Sequence, residues 1–105
     1  MGMVAPTPLP LNDANMLRVI RRLAKDTGNI FILPHAKKRM KQRKITQTQV
    51  YACLRLGVIY ESAHSGIKGD WKCTLQHLHA GDEIRVAAAI ESGGQGKWIA
   101  VITVF

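Results

Sequence analysis

His35-Ala36-Lys37-Lys38-Arg39-Met40-Lys41-Gln42-Arg43-Lys44-Ile45-Thr46 is the stretch around which the chain is organised. Read as a helix, it sets His35, Arg39 and Arg43 four residues apart on one stripe. Ala36 and Met40 form a narrow apolar strip beside that stripe, able to dock on a core. Lys37, Lys38, Lys41 and Lys44 cover much of the rest with positive charge. The residues that follow fix where this helix gives way to another. Thr46-Gln47-Thr48-Gln49 fits a capping box, with Ile45 and Val50 at the N′ and N4 positions of a hydrophobic staple. A second helix therefore starts at Thr46, buries Val50, Cys53 and Leu54, and stops at Gly57. The two helices form a tight pair joined at Lys44–Thr46.

Upstream, Pro6, Pro8 and Pro10 alternate and block both helix and ladder pairing, which predicts a flexible tail over residues 1–11. Asn12 or Asp13 then caps a helix running to about Thr27, with Gly28 as its stop. Leu17, Ile20, Leu23 and Ala24 give this helix an apolar face, and Arg18, Arg21, Arg22 and Lys25 face water or an anion. Ile30-Phe31-Ile32-Leu33 is a brief strand or extended entry. Pro34 ends it and pre-sets the first turn of the His35 helix.

Downstream of Gly57 the period changes from helical to extended. Val58 to Glu61 reads as a strand, Ser62 to Asp70 as a loop, and Trp71 to His79 as an alternating strand. Ala80-Gly81-Asp82 turns the chain into Ile84–Glu91, where Ile84, Val86, Ala88 and Ile90 share a face. Gly93 to Gly96 makes the next turn. Trp98 to Phe105 is apolar on both faces and is expected at the sheet centre. The prediction is one α+β domain over residues 12–105: an N-terminal helix, then a helical pair packed on a small, mostly antiparallel sheet.

Length allows one domain and not two. Fifteen Lys and Arg against seven Asp and Glu give a net charge of +8. That balance favours an anionic partner: nucleic acid first, an acidic protein second, a membrane surface third. Cys53 and Cys73 are too few for a disulfide scaffold and suit reduced thiols. With no secretory start and no apolar run approaching the roughly 20 residues of a membrane span, a cytoplasmic location is expected. A phosphate-binding glycine loop, a serine-nucleophile elbow and a paired-carboxylate site are missing from the sequence, which argues against NTP hydrolysis and serine hydrolase chemistry.

The chemistry-bearing residues start with His35, Arg39 and Arg43. An imidazole moves a proton near neutral pH, and a guanidinium holds a phosphate by two parallel bonds while stabilising transition-state charge. Cleavage of RNA by its own 2′-hydroxyl asks for no more than those roles and no metal or other cofactor. The competing structural reading has His35 capping the helix and the arginines paired with carboxylates such as Glu61 or Asp70. Cys73, Leu75, His77 and His79 fall on one strand face. That face is read as a zinc grip completed by Cys73 or His64, as a catalytic or nucleic-acid face, or as an ordinary half-exposed strand. Arg85 on the neighbouring strand is placed with His77 and His79 as a second cationic cluster. Tyr60 and Trp71, near Lys68 and Lys72, either stack bases or cover the core.

The order His35-Ala36-x-x-Arg39-Met40-x-x-Arg43-x-Ile45-Thr46, then Val50, Leu54, Gly57-x-Ile59, Val86-Ala87-Ala88-Ala89 and Val101-Ile102-Thr103-Val104-Phe105, resembles a bacterial family catalogued as domain of unknown function 4258. The resemblance covers roughly residues 30–105 and implies a fold related to the RelE/ParE-like toxins of toxin–antitoxin pairs. Relatives of that kind include RNA-cleaving and gyrase-binding toxins. Lys44 stands where the family has glycine, and residues 1–28 lie outside the match. The expectation is a toxin-like protein that binds RNA, ribosome-associated or free, with an antitoxin as protein partner, acting as a metal-independent endoribonuclease. His35, Arg39, Arg43 and His77 are its candidate catalytic residues, and Lys37, Lys38, Lys41, Lys72 and Arg85 its candidate RNA contacts. The alternative is a non-enzymatic nucleic-acid-binding or protein-interaction module.

Overall fold

A five-stranded sheet carries three helices on one face, and both are visible in a computed structural model that describes residues 12–66, 70–94 and 96–105. In chain order the elements are α1 (Asp13–Ala24), β1 (Ile30–Ile32), α2 (Pro34–Arg43), α3 (Gln47–Leu56), β2 (Val58–Ser65), β3 (Trp71–His79), β4 (Asp82–Gly93) and β5 (Gly96–Val104). The strand order is β1-β5-β4-β3-β2, antiparallel except for the short parallel pairing of β1 with β5. The expected tail over residues 1–11, together with Lys68, lies outside the described residues.

The local chemistry explains most of these boundaries. Asn12 caps α1 by accepting from the Asn15 N–H at 2.8 Å, and Met16, Ile20, Leu23 and Ala24 are buried at helical spacing. Leu17, expected on the apolar face, packs only at its margin. The helix also ends earlier than Thr27. The Asp26 carboxylate accepts from the Gly28 N–H at 2.9 Å and starts a 3₁₀ turn over Thr27–Asn29 instead.

At the α2–α3 junction both halves of the capping box form. Thr46 Oγ1 accepts from the Gln49 N–H at 3.1 Å, and Gln49 Oε1 accepts from the Thr46 N–H at 2.9 Å. Gly57 closes α3 where a Cβ would press into the Cys53 carbonyl and lie 3.0 Å from the Gln76 carbonyl. Ile84, Val86, Ala88 and Ile90 face the helices together with Cys73, Leu75, Ile99, Val101 and Val104. Each fully buried Ile or Leu in this layer contributes about 1.5–3 kcal/mol.

Two expectations about the sheet are corrected. β2 continues to Ser65, because Asp13 at the start of α1 accepts from the Ala63 N–H at 2.7 Å and from Ser62 Oγ at 3.2 Å, holding that segment extended. β5 is not the central strand. It lies second from the edge, flanked by β1, and β4 takes the centre. Among the described residues, the apolar residues on its far side meet no second layer. They contribute to an open face on which Phe31 packs edge-on to Trp98, 5.1 Å between centroids.

Candidate nucleic-acid interface

α2 begins at Pro34, which suits a first helical position because it has no N–H to leave unpaired. Its N-cap is Leu33, with no side-chain cap, so His35 does not cap the helix. Ala36 and Met40 are buried against the sheet, and α2 packs chiefly on β5. At about 3.6 residues per turn this single anchored stripe divides the cations into two flanks. His35, Arg39 and Arg43 run along one side, with His35 and Arg43 exposed and Arg39 half-buried. Lys37, Lys41 and Lys44 run along the other, all exposed, and Lys38 points outward between them.

The His35 side leads toward the β3–β4 hairpin only at its far end. Arg43 lines an open cleft of about 380 Å³ with Gln49, Asp82, Glu83, Ile84 and Phe105, and Lys44 and Ile45 border it as well. His35 starts the same stripe eight residues earlier, roughly 12 Å up the helix axis at 1.5 Å per residue. The lysine side borders a second cleft of about 460 Å³, floored by Ile32, Met40 and Ile45 and entered by Thr46 and Gln47 at the start of α3.

The sheet divides the remaining candidates between its two faces. His77 is the cross-strand partner of Ile84 and therefore looks toward the helical layer, with the His79 ring 6.2 Å away. Arg85 pairs with Gln76, and Lys72 with Ala89, so both belong to the opposite, open face. The expected cluster of His77, His79 and Arg85 is thus split by the pleat. Arg85 is moreover committed within the protein. Its Nε donates to Gln76 at 3.0 Å, its guanidinium carbon lies 4.0 Å from the Tyr60 ring centroid, and it forms an ion pair with Glu83 at 3.4 Å.

His64 registers with Lys72, away from Cys73 and His77. Among the described residues no group of three or more His, Cys, Asp or Glu side chains comes together to hold a metal ion. Burial pushes the Cys53 thiol up to about 12, offset in part by the Val86 N–H, and pushes Cys73 likewise to about 12, reinforced by Asp13, Cys53 and Glu61. Both thiols are therefore inert core groups.

Electrostatically, the Arg85–Glu83 contact is the single ion pair among the described residues. The arginines are not paired with Glu61 or Asp70; Glu61 instead accepts from Thr74 Oγ1 at 3.4 Å. The cations of α2 consequently stand without carboxylate partners. On α1, Arg18, Arg21, Arg22 and Lys25 line a separate shallow surface depression, although Arg21 also donates to the Gly57 carbonyl at 3.0 Å.

A family model described as "Domain of unknown function (DUF4258)" matches residues 32–105, from the end of β1 to the last residue. The chain belongs to the DUF4258 family. No match was found among curated proteins or among solved structures. The DUF4258 region holds α2, α3 and strands β2 to β5, whereas α1 and its arginines lie outside it. Among the described residues no helix is long and apolar enough to cross a membrane.

The sequence separates the His35–Arg39–Arg43 stripe from the lysines of α2, but it does not point to Gln47, which enters the lysine cleft from the first turn of α3.

Proposed function

We propose that this DUF4258 protein is a toxin-like RNA-binding protein whose α2 cations grip the phosphate backbone. The observation that carries the reading is the absence, among the described residues, of any carboxylate paired with His35, Lys37, Lys38, Arg39, Lys41, Arg43 or Lys44. Charges kept on one short helix without internal partners cost stability through mutual repulsion unless an external polyanion meets them. Kinship with the RelE/ParE toxins, an antitoxin partner and action in the cytoplasm belong to the same proposal. Three helices packed on a mostly antiparallel sheet support it, although α3 packs on α1 and the sheet and not on α2 as the expected tight pair would.

Binding is favoured over cleavage. A metal-independent endoribonuclease would draw on His35 as its proton carrier, Arg39 and Arg43 as phosphate clamps and His77 as a second proton donor. His77 stands beside Ile84, in the corner that Arg43 reaches, whereas His35 sits at the other end of α2. Two histidines on one phosphate are therefore not what this arrangement supports, and His35 is left to carry any cleavage with the arginines. The test is RNA retention on a filter by wild type and by Arg39→Glu/Arg43→Glu. Retention by wild type and its loss in the charge-reversed protein support the proposal. Equal retention, or none by either, contradicts it.

A further inference from the structure

The lysine-rimmed cleft has a composition that a backbone clamp alone does not require. Its rim carries three ammonium groups, from Lys37, Lys41 and Lys44, and its floor is apolar, made of Ile32, Met40 and Ile45. It is an open groove on the surface, not an enclosed cavity, so a ligand would lie along it with one side facing water.

The ligand that matches is an anion with a flat apolar body. Ammonium groups on flexible stems suit a phosphate. The Met40 thioether suits an aromatic ring, since sulfur–aromatic contacts are favourable. Gln47 brings an amide, donor and acceptor both, to the same opening and can read the edge of a base. We infer that this cleft holds one unstacked nucleotide of the RNA, with its phosphate on Lys37, Lys41 and Lys44 and its base on Met40 and Ile32. The inference rests on the RNA-binding reading and adds to it a preference for single strands, because a base inside a duplex has no free face to offer.

The experiment measures fluorescence anisotropy of a labelled RNA decamer, alone and annealed to its complement, at one salt concentration. Wild type is expected to prefer the single strand at least tenfold. Lys41→Ala/Lys44→Gly should bring the ratio close to one, the duplex being held by Arg39 and Arg43. A second measurement follows the Met40 methyl resonance. Adenosine monophosphate should shift it through the ring current of the base, and inorganic phosphate should not. Equal affinity for both RNA forms in wild type, or a ratio unchanged in the variant, overturns the nucleotide site while leaving RNA binding intact. Failure to bind either RNA removes the RNA reading as well. If polyglutamate binds the cleft as tightly as the single strand does, the occupant is an acidic peptide and the inference falls.

Discussion

The Ile45 N–H donates to the Met40 carbonyl at 2.9 Å, closing α2 across a left-handed Lys44 whose own N–H reaches the Lys41 carbonyl at 3.4 Å. This is a Schellman closure with lysine at the position that favours glycine, and the buried Met40 and Ile45 supply its hydrophobic contact.

Lys44→Gly removes the Cβ penalty without touching the core, so the variant should be more stable by about 0.5–1 kcal/mol. Urea unfolding checks this as a higher midpoint at unchanged slope. A lower midpoint would mean that the Lys44 side chain stabilises the fold in some other way.

Thr46 is the N-cap of α3, with both capping-box bonds in place. Thr46→Ala should cost about 1 kcal/mol, and Thr46→Ser, which keeps the hydroxyl, clearly less. The same unfolding measurement separates the two variants.

The α2–α3 junction was fully legible in the sequence because caps and staples are local, fixed by residues three or four apart. The position of β5 was not. Ile30–Ile32 is legible as a brief strand, but its parallel pairing with Ile99–Val101 joins segments far apart in the chain and leaves no local signal. The sidedness of Arg85 was within reach. Ala80 and Gly81, at φ 52° and 87°, form a two-residue turn with positive φ at both centres, which sets His79 opposite Asp82 and so Gln76 opposite Arg85. Counting Asp82 as part of the turn loses that register. In a two-residue period, one residue of slip moves a side chain to the other face.

The two buried thiols predict a pH dependence. Both are raised from the ordinary 9.0 to about 12, chiefly by desolvation. Below pH 9 they are protonated in folded and unfolded chains alike, and their contribution to stability is fully present. Above that, the unfolded chain releases protons that the folded one retains, so stability falls as pH rises toward 12, on the order of 1 kcal/mol per pH unit per thiol at the steepest. Chemical unfolding across pH 8–11 should show this decline, and Cys53→Ala/Cys73→Ala should flatten it. An equally steep decline in the double variant would assign it to other groups.

His35→Gln keeps a polar side chain of similar reach and removes only proton transfer. If the protein cleaves RNA through His35, the variant should fold, bind RNA nearly as well as wild type, and lose cleavage by about 10²–10⁴-fold. Gel analysis of a labelled transcript, with binding measured in parallel, separates loss of chemistry from loss of affinity. Cleavage that survives the substitution excludes His35 as the proton carrier.

The account depends most on α2 meeting phosphates directly, and the salt dependence of RNA affinity measures that. Each phosphate neutralised on a single strand contributes about −0.7 to the slope of log K against log salt. Wild type should therefore show a steep negative slope, and Arg39→Ala/Arg43→Ala a slope shallower by about 1.4. Affinity insensitive to salt, or a slope that the double substitution leaves unchanged, would contradict the assignment of α2 as the RNA-binding element.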